Sequence, residues 1–145
     1  MFRGRSRHTL DSKGRLAIPA RFKAAVEQKA DNYLVVTRYG ECLWAFARPD
    51  WRVLEEKAAN LPLFDKAGIT FLRYFISGAV ECPIKQGRIT IPLNLREEAG
   101  LNKEVLVAGE LKKFEIWDME RWEKKSSEDE EIFPEVSLSL PELRI

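Results

Sequence analysis

The sequence predicts a mainly β chain with short helices, built from two copies of one unit. The first observation is a repeat. Asp11-Ser12-Lys13-Gly14-Arg15-Leu16-Ala17-Ile18-Pro19 is answered 73 positions later by Ile84-Lys85-Gln86-Gly87-Arg88-Ile89-Thr90-Ile91-Pro92, with Gly, Arg, Ile and Pro at equivalent places. The second is a set of short apolar or alternating runs, each bounded by turn residues. The third is a proline after each repeat, at a place where a helix can begin without losing a needed N–H.

Taken in order, Phe2 to Leu10 carries Arg3, Arg5 and Arg7 at alternate positions. If extended, it shows one basic face. The other reading is a disordered basic leader. Running directly into the first turn favours the strand. Asp11 to Gly14 forms that turn, with Asp11 accepting backbone N–H groups across it. Gly14 and Gly87 stand where a tight turn asks for φ > 0. Arg15 opens a half-buried strand and Pro19 opens a helix to about Ala30, with Phe22, Val26 and Ala30 on one face. Tyr33 to Thr37 reads as a central strand, Leu43 to Phe46 as the next. Arg48-Pro49-Asp50 leads a helix with Trp51, Leu54, Ala58 and Leu61 on one stripe.

Phe64 to Ile76 reads as a second helical stretch with Phe64, Ala67, Phe71 and Phe75 on a common side, given to core or subunit packing. Ser77 to Cys82 starts the second copy. Arg88 heads its half-buried strand, and Pro92 a short helix closed by Gly100. Val105 to Ala108 and Phe114 to Trp117 answer the two earlier strands, and Trp122 answers Trp51 with the offset reduced to 71. Asp118 is a candidate N-cap. The expected organisation is a first unit over 5–51, a helical connector over 52–76, a second unit over 77–122, and an acidic tail over 123–145. The tail, with Pro134 and Pro141, is expected to be loosely held. Its patches at Ile132-Phe133 and Val136 to Leu140 are candidates for docking on a neighbour.

The 145 residues are 45% apolar, enough for a core, and carry a formal net charge of +1. That average hides two opposite ends. Residues 1–24 hold seven bases against Asp11 alone, and residues 126–145 hold six acids against Arg144 alone. A basic end and an acidic end in one chain point to a polyanionic partner and a solvated tail. Cys42, Cys82 and His8 are too few for a zinc site. The cysteines read as small buried residues of a reducing cytosol. No apolar run reaches the ~20 residues of a membrane span, and the N-terminus lacks the apolar stretch of a signal peptide. No metal, cofactor, membrane or small-molecule substrate is called for.

A hairpin with Gly-Arg at its turn, followed by strand, Pro and helix, resembles the SpoVT–AbrB-type DNA-binding unit. Two such units in one chain opening Met-Phe-Arg-Gly resemble the MraZ family over roughly residues 1–125. The shared signature is Asp-x-x-x-Arg. The first copy matches it with Asp11 and Arg15, and the second keeps Arg88 but has Ile84 in the aspartate position. The resemblance implies an AbrB-like swapped-hairpin double-psi barrel, formed here by the two copies within one chain. It also implies a ring-shaped homo-oligomer that regulates transcription from direct repeats ahead of its own operon, the division and cell-wall cluster. Such a protein works in the cytoplasm, with the nucleoid. Direct repeats suit subunits that all face one way, whereas a two-fold dimer suits palindromes.

The candidate double-stranded DNA contacts are Arg3, Arg5, Arg7, Lys13, Arg15, Lys85 and Arg88. Asp11, Gly14, Gly87, Pro19 and Pro92 serve as structural residues of the turn motif. Arginine can neutralise phosphate or bond guanine O6 and N7. Arg15 has a structural alternative, a salt bridge to Asp11, and Lys13 and Lys85 have the alternative of plain solvated turn charges. Three function classes stand at this point. They are a DNA-binding regulator (with non-specific nucleoid binding as a variant), a non-enzymatic protein-interaction module of the antitoxin type, and an enzyme. The last has little support. Asp11, Ser12 and His8 lie on a basic hairpin without a nucleophile elbow, a Gly-rich phosphate loop or a carboxylate pair placed for chemistry. The opposed end charges also suggest that tail carboxylates compete with DNA for the basic stripe, so deleting residues 127–145 should tighten DNA binding at low salt.

Overall fold

Every strand of the first copy pairs with a strand of the second. A computed structural model describes residues 1–144. Its strands are β1 (Phe2–Thr9), β2 (Arg15–Ala17), β3 (Tyr33–Tyr39), β4 (Cys42–Ala47), β5 (Val80–Pro83), β6 (Arg88–Thr90), β7 (Glu104–Leu111) and β8 (Lys113–Asp118). The helices are α1 (Ala20–Glu27), α2 (Arg48–Ala59), α3 (Lys66–Phe71), α4 (Leu93–Glu98) and α5 (Met119–Leu138), and a π-helical turn, Leu72–Ile76, extends α3. A six-stranded antiparallel sheet runs β1-β7-β8-β4-β3-β5, and β2 and β6 form a separate two-stranded ribbon. The pairs β1–β7, β3–β5, β4–β8 and β2–β6 all join opposite copies. Only the hairpins β3–β4 and β7–β8 lie within one copy.

Two hydrogen bonds show the internal symmetry directly. The Ile18 N–H donates to the Gly87 carbonyl and the Ile91 N–H donates to the Gly14 carbonyl, each at 2.9 Å. Both residues of one bond sit 73 positions from their counterparts in the other. The chain is therefore a mainly β, swapped-hairpin, barrel-like fold made of two internal repeats.

Hydrophobic alternation explains the layers. Leu16, Ile18, Ile89 and Ile91 turn into the core together with Leu34, Val36, Leu43, Ala45, Val105, Val107, Phe114 and Ile116. The rings of Phe2, Phe22 and Phe114 meet there with centroids 5.1–5.2 Å apart. The outer side of the sheet is also covered. Val35, Phe46, Trp51 and Phe75 pack under α2 and the π-helical turn, while Cys42, Leu106, Ala108 and Trp117 pack beside the start of α5. Strands buried on both faces read as continuous apolar runs, as β3 and β7 do.

Helix starts and ends differ from expectation in detail. Pro19 and Pro92 are N-caps rather than first-turn residues. Their carbonyls accept from Phe22 and Lys23 in one case and Arg96 in the other. Helix α1 stops at Glu27, and Ala30 is an exposed left-handed residue (φ 56°) instead of a third core position. Phe64 lies outside α3 and is 96% exposed, because Pro62 and the N-cap Asp65 delay the helix start. Asp118 holds the N-cap position of α5 but its carboxylate accepts the Asn102 N–H at 3.1 Å.

The tail gives the largest correction. After Ser126 it is helical rather than irregular, although no residue of that helix is buried. α5 continues to Leu138 through Pro134, and a 3-10 turn follows at Pro141–Leu143. Lysine and glutamate are good helix formers, and that local preference outweighs the net charge that suggested disorder. Among the described residues no helix is long and apolar enough to cross a membrane.

Candidate nucleic-acid interface

The two repeated turns solve one problem by different means. In the first, Asp11 Oδ1 accepts the N–H groups of Lys13 (3.0 Å) and Arg15 (2.9 Å), and Oδ2 accepts from Arg15 Nε. The Arg15 N–H bond, joined by the guanidinium and the Lys13 N–H, holds the Asp11 carboxyl down to about 2 against a partial desolvation. The expected structural pair of Asp11 and Arg15 is thus present. In the second turn Gln86 (φ 52°) and Gly87 (φ 73°) are both left-handed. That is the pattern of a two-residue hairpin turn. Lys85 and Arg88 close it through reciprocal backbone bonds of 2.8 and 3.0 Å. The backbone alone satisfies this turn, so no carboxylate is needed. Ile84, in the aspartate position, is instead buried in the core.

A pH test follows for the first turn. Asp11 has a folded pKa of about 2 against an ordinary 3.8, so its stabilising contribution is complete above pH 4 and disappears as the pH falls through 2. The urea midpoint of Asp11→Ala should lie below that of the unmodified chain at pH 5, and the two should converge as the pH approaches 2. A gap that persists unchanged at low pH would remove the ionised carboxylate from the explanation.

Register then sets the arginines. In the ribbon Arg15 lies opposite Thr90 and Ala17 opposite Arg88. Leu16 and Ile89 point inward, which leaves Arg15, Ala17, Arg88 and Thr90 on the outward face. Arg15, Lys85 and Arg88 line one cavity of about 440 Å³ against Val80 to Pro83 of β5. These are two copies' bases brought to one place. Among the described residues the Arg88 side chain bonds Gln86 Oε1, at 3.5 Å, and forms no salt bridge, with Glu81 lining the same cavity.

The remaining predicted bases lie elsewhere. Lys13 is exposed at the tip of the first turn. Arg3, Arg5 and Arg7 are exposed on β1, an edge strand, so the segment is ordered and not a disordered leader. Arg5 stacks on Trp122 of α5, 5.3 Å from the ring centre. Arg5, Trp122, Asp129 and Glu130 line one cavity of about 290 Å³, so the basic stripe and the acidic helix are neighbours.

Three bases beside the turns were missed. The Arg96 Nε–H donates to the Ile91 carbonyl at 2.9 Å and lies against Gly14. Arg96 and Lys103 line a cavity of about 630 Å³ with Asp11 and Ser12. Lys23, 73 positions before Arg96, lines the smaller cavity beside Gln86 and Gly87. Each turn is therefore backed by a base from the other copy's helix. The 73-residue offset, combined with strand exchange, was the signal that would have found them.

One carboxylate pair does form, unforeseen in sequence. Glu115 accepts the indole N–H groups of Trp44 (3.0 Å) and Trp117 (2.8 Å), and Lys113 pairs with the adjacent Glu110. Burial and the neighbouring carboxyl push Glu110 up to about 7. These partners knit the β7–β8 hairpin to β4. Cys42 and Cys82 are buried and unpaired with each other, and burial lifts the Cys82 thiol to about 11. Among the described residues no cluster of three His, Cys, Asp or Glu groups could hold a metal ion.

The duplicated ribbon agrees with comparison to known proteins. The family model described as "MraZ protein, putative antitoxin-like" matches residues 1–74 and again 75–137. The chain belongs to the MraZ family. Relatives named "Transcriptional regulator MraZ" are similar along nearly their whole length. That of Ligilactobacillus salivarius is 44% identical over 138 residues, covering 94% of each chain. That of Halothermothrix orenii is 40% identical over 146 residues, covering 100% of each. That of Syntrophobacter fumaroxidans is 43% identical over 136 residues, covering 93% of this chain and 91% of the relative. The two MraZ matches meet between 74 and 75, inside the helical connection that separates the repeats.

Proposed function

We propose that this chain is a sequence-specific, double-stranded-DNA-binding transcriptional regulator without catalytic activity. One observation carries the reading: Arg15 and Arg88, from different copies, converge on the outward face of a single two-stranded ribbon. A ribbon of that width enters the major groove, and its guanidiniums can grip phosphate or guanine edges. Arg3, Arg5, Arg7, Lys13 and Lys85 add phosphate contacts, with Arg96 and Lys103 beside the first turn. Residues 5–51 and 77–122 act as the two DNA-binding units, 52–76 as their connector and 123–145 as an acidic extension. The protein works in the cytoplasm, with the nucleoid, as a ring-shaped homo-oligomer. Subunits facing one way match direct repeats, here those ahead of its own operon in the division and cell-wall cluster.

The test is a binding titration across salt concentrations, using the chain's own upstream region and a scrambled control. Tight binding to the upstream region alone, with a steep loss in salt, is the expected result. Equal affinity for both DNAs would make it a non-specific nucleoid protein. No binding at low salt by folded protein would move the reading to the protein-interaction module.

The acidic helix tunes this affinity. Asp129 and Glu130 share a cavity with Arg5 and compete with phosphate for it. Asp129→Asn/Glu130→Gln should tighten binding at low salt by about two- to fivefold, the scale of an exposed ion pair. The gain should fade in high salt, and an unchanged affinity would dispose of the competition.

A further inference from the structure

The two copies end differently, and the difference leaves complementary surfaces. After α2 the chain folds back through α3 and the π-helical turn, placing Phe71 and Phe75 beside Trp51. The equivalent helix of the second copy is α5, with Trp122 in the place of Trp51. Among the described residues nothing folds back over it. No residue of α5 is buried, and beyond Ser126 it runs for three turns with Ile132, Phe133 and Val136 exposed on one stripe. A helix without tertiary cover is marginal in water, because packing of an apolar face supplies most helical stability.

A matching surface lies on the first copy. Between α2 and α3 is an apolar groove of about 350 Å³ lined by Leu54, Ala58, Leu61, Ala67, Gly68 and Phe71. The missing Cβ of Gly68 keeps its floor low; one added there would sit 3.4 Å from Leu61 Cβ. Leu63 and Phe64 project beside it, 78% and 96% exposed. Charge selects between the occupants. Five carboxylates between Glu128 and Glu135 flank the α5 stripe. Two such helices repel each other side by side, whereas the groove balances Lys57 against Asp65 in its lining, with Lys66 next to it, and so sets no net negative charge against the acidic helix.

We infer that the free end of α5 from one copy of this chain docks in the α2–α3 groove of the next. The contact is heterologous: ridge and groove are different surfaces, so each subunit offers one of each, and such head-to-tail contacts form a ring when the rotation between subunits closes. This rests on the homo-oligomer of the proposed function and gives its subunit contact particular residues.

The experiment measures mass in solution by light scattering for three full-length proteins. They are the unmodified chain, a ridge variant (Ile132→Asp/Val136→Asp) and a groove variant (Ala67→Glu). All the changed side chains are exposed, and near-ultraviolet circular dichroism checks the fold. The unmodified chain should be a multimer and each variant a single chain. An equimolar mixture of the two variants should form a two-chain complex, since one intact ridge then meets one intact groove. A groove variant that still assembles, a mixture that stays monomeric, or an unmodified chain that is itself monomeric would each overturn the contact. Binding of the ridge variant to DNA carrying one repeat reads the ribbon separately. Retained binding there keeps the regulator even if the contact fails, and lost binding counts against the regulator and not against the contact.

Discussion

Replacing Arg15 and Arg88 together by alanine is expected to weaken binding to the upstream DNA by about 30-fold or more. Each well-placed guanidinium contributes about 1–3 kcal/mol toward base discrimination, and about 1.4 kcal/mol is tenfold in affinity. If both contact phosphate instead, the loss is uniform across sequences and the slope of log affinity against log salt falls by about 2. The single variants separate structure from recognition. Arg15 also bonds the Asp11 carboxylate, so Arg15→Ala loosens the first turn as well as removing a cation. That pair is about one-third exposed on each side, and its removal costs little stability. Among the described residues Arg88 forms no salt bridge, so Arg88→Ala is the cleaner test. Binding within twofold of the unmodified protein in the folded double variant would remove the ribbon from recognition.

The repeat, its strands and its proline-led helices were legible in the sequence because they depend on local alternation and turn chemistry. Leu16, Ile18, Ile89 and Ile91 are inward where alternation puts them. The exchange of strands between copies was not legible from periodicity, which assigns a face but not a partner. Only the resemblance implied it. The convergence of Arg15, Lys85 and Arg88 follows from that exchange, so their grouping was hidden while their identity was not. Arg96 was missed for the same reason: its role beside Gly14 exists only across copies. The second turn misled differently. Absence of the motif aspartate at Ile84 looks like a lost feature, yet the turn closes on Lys85 and Arg88 one residue later. The length of α5 was obscured by net charge and Pro134, both average or single-residue signals, against a run of good helix formers.

The same cross-copy packing predicts that two glycines alike in sequence differ sharply in cost. Both Gly14 (φ 78°) and Gly87 (φ 73°) are left-handed, so alanine at either loses about 1–2 kcal/mol to backbone strain. At Gly87 a new Cβ meets nothing within 4 Å, and the cost stops there. At Gly14 it would stand 2.5 Å from Arg96 Nε and 2.9 Å from the Ile91 carbonyl oxygen. Arg96 can swing away only by giving up its bond to that carbonyl. The Ile91 backbone cannot retreat freely, because its N–H is bound to the Gly14 carbonyl. Disturbing two hydrogen bonds adds about 1 kcal/mol each. Gly14→Ala should therefore destabilise by about 3–4 kcal/mol and Gly87→Ala by about 1–2 kcal/mol in urea unfolding at neutral pH. The Arg96→Ala background isolates the cause. There Gly14→Ala should cost at least about 0.5 kcal/mol less, since contacting residues are coupled. Equal costs at the two glycines, or no change in the Arg96→Ala background, would mean that the helix of one copy does not buttress the turn of the other.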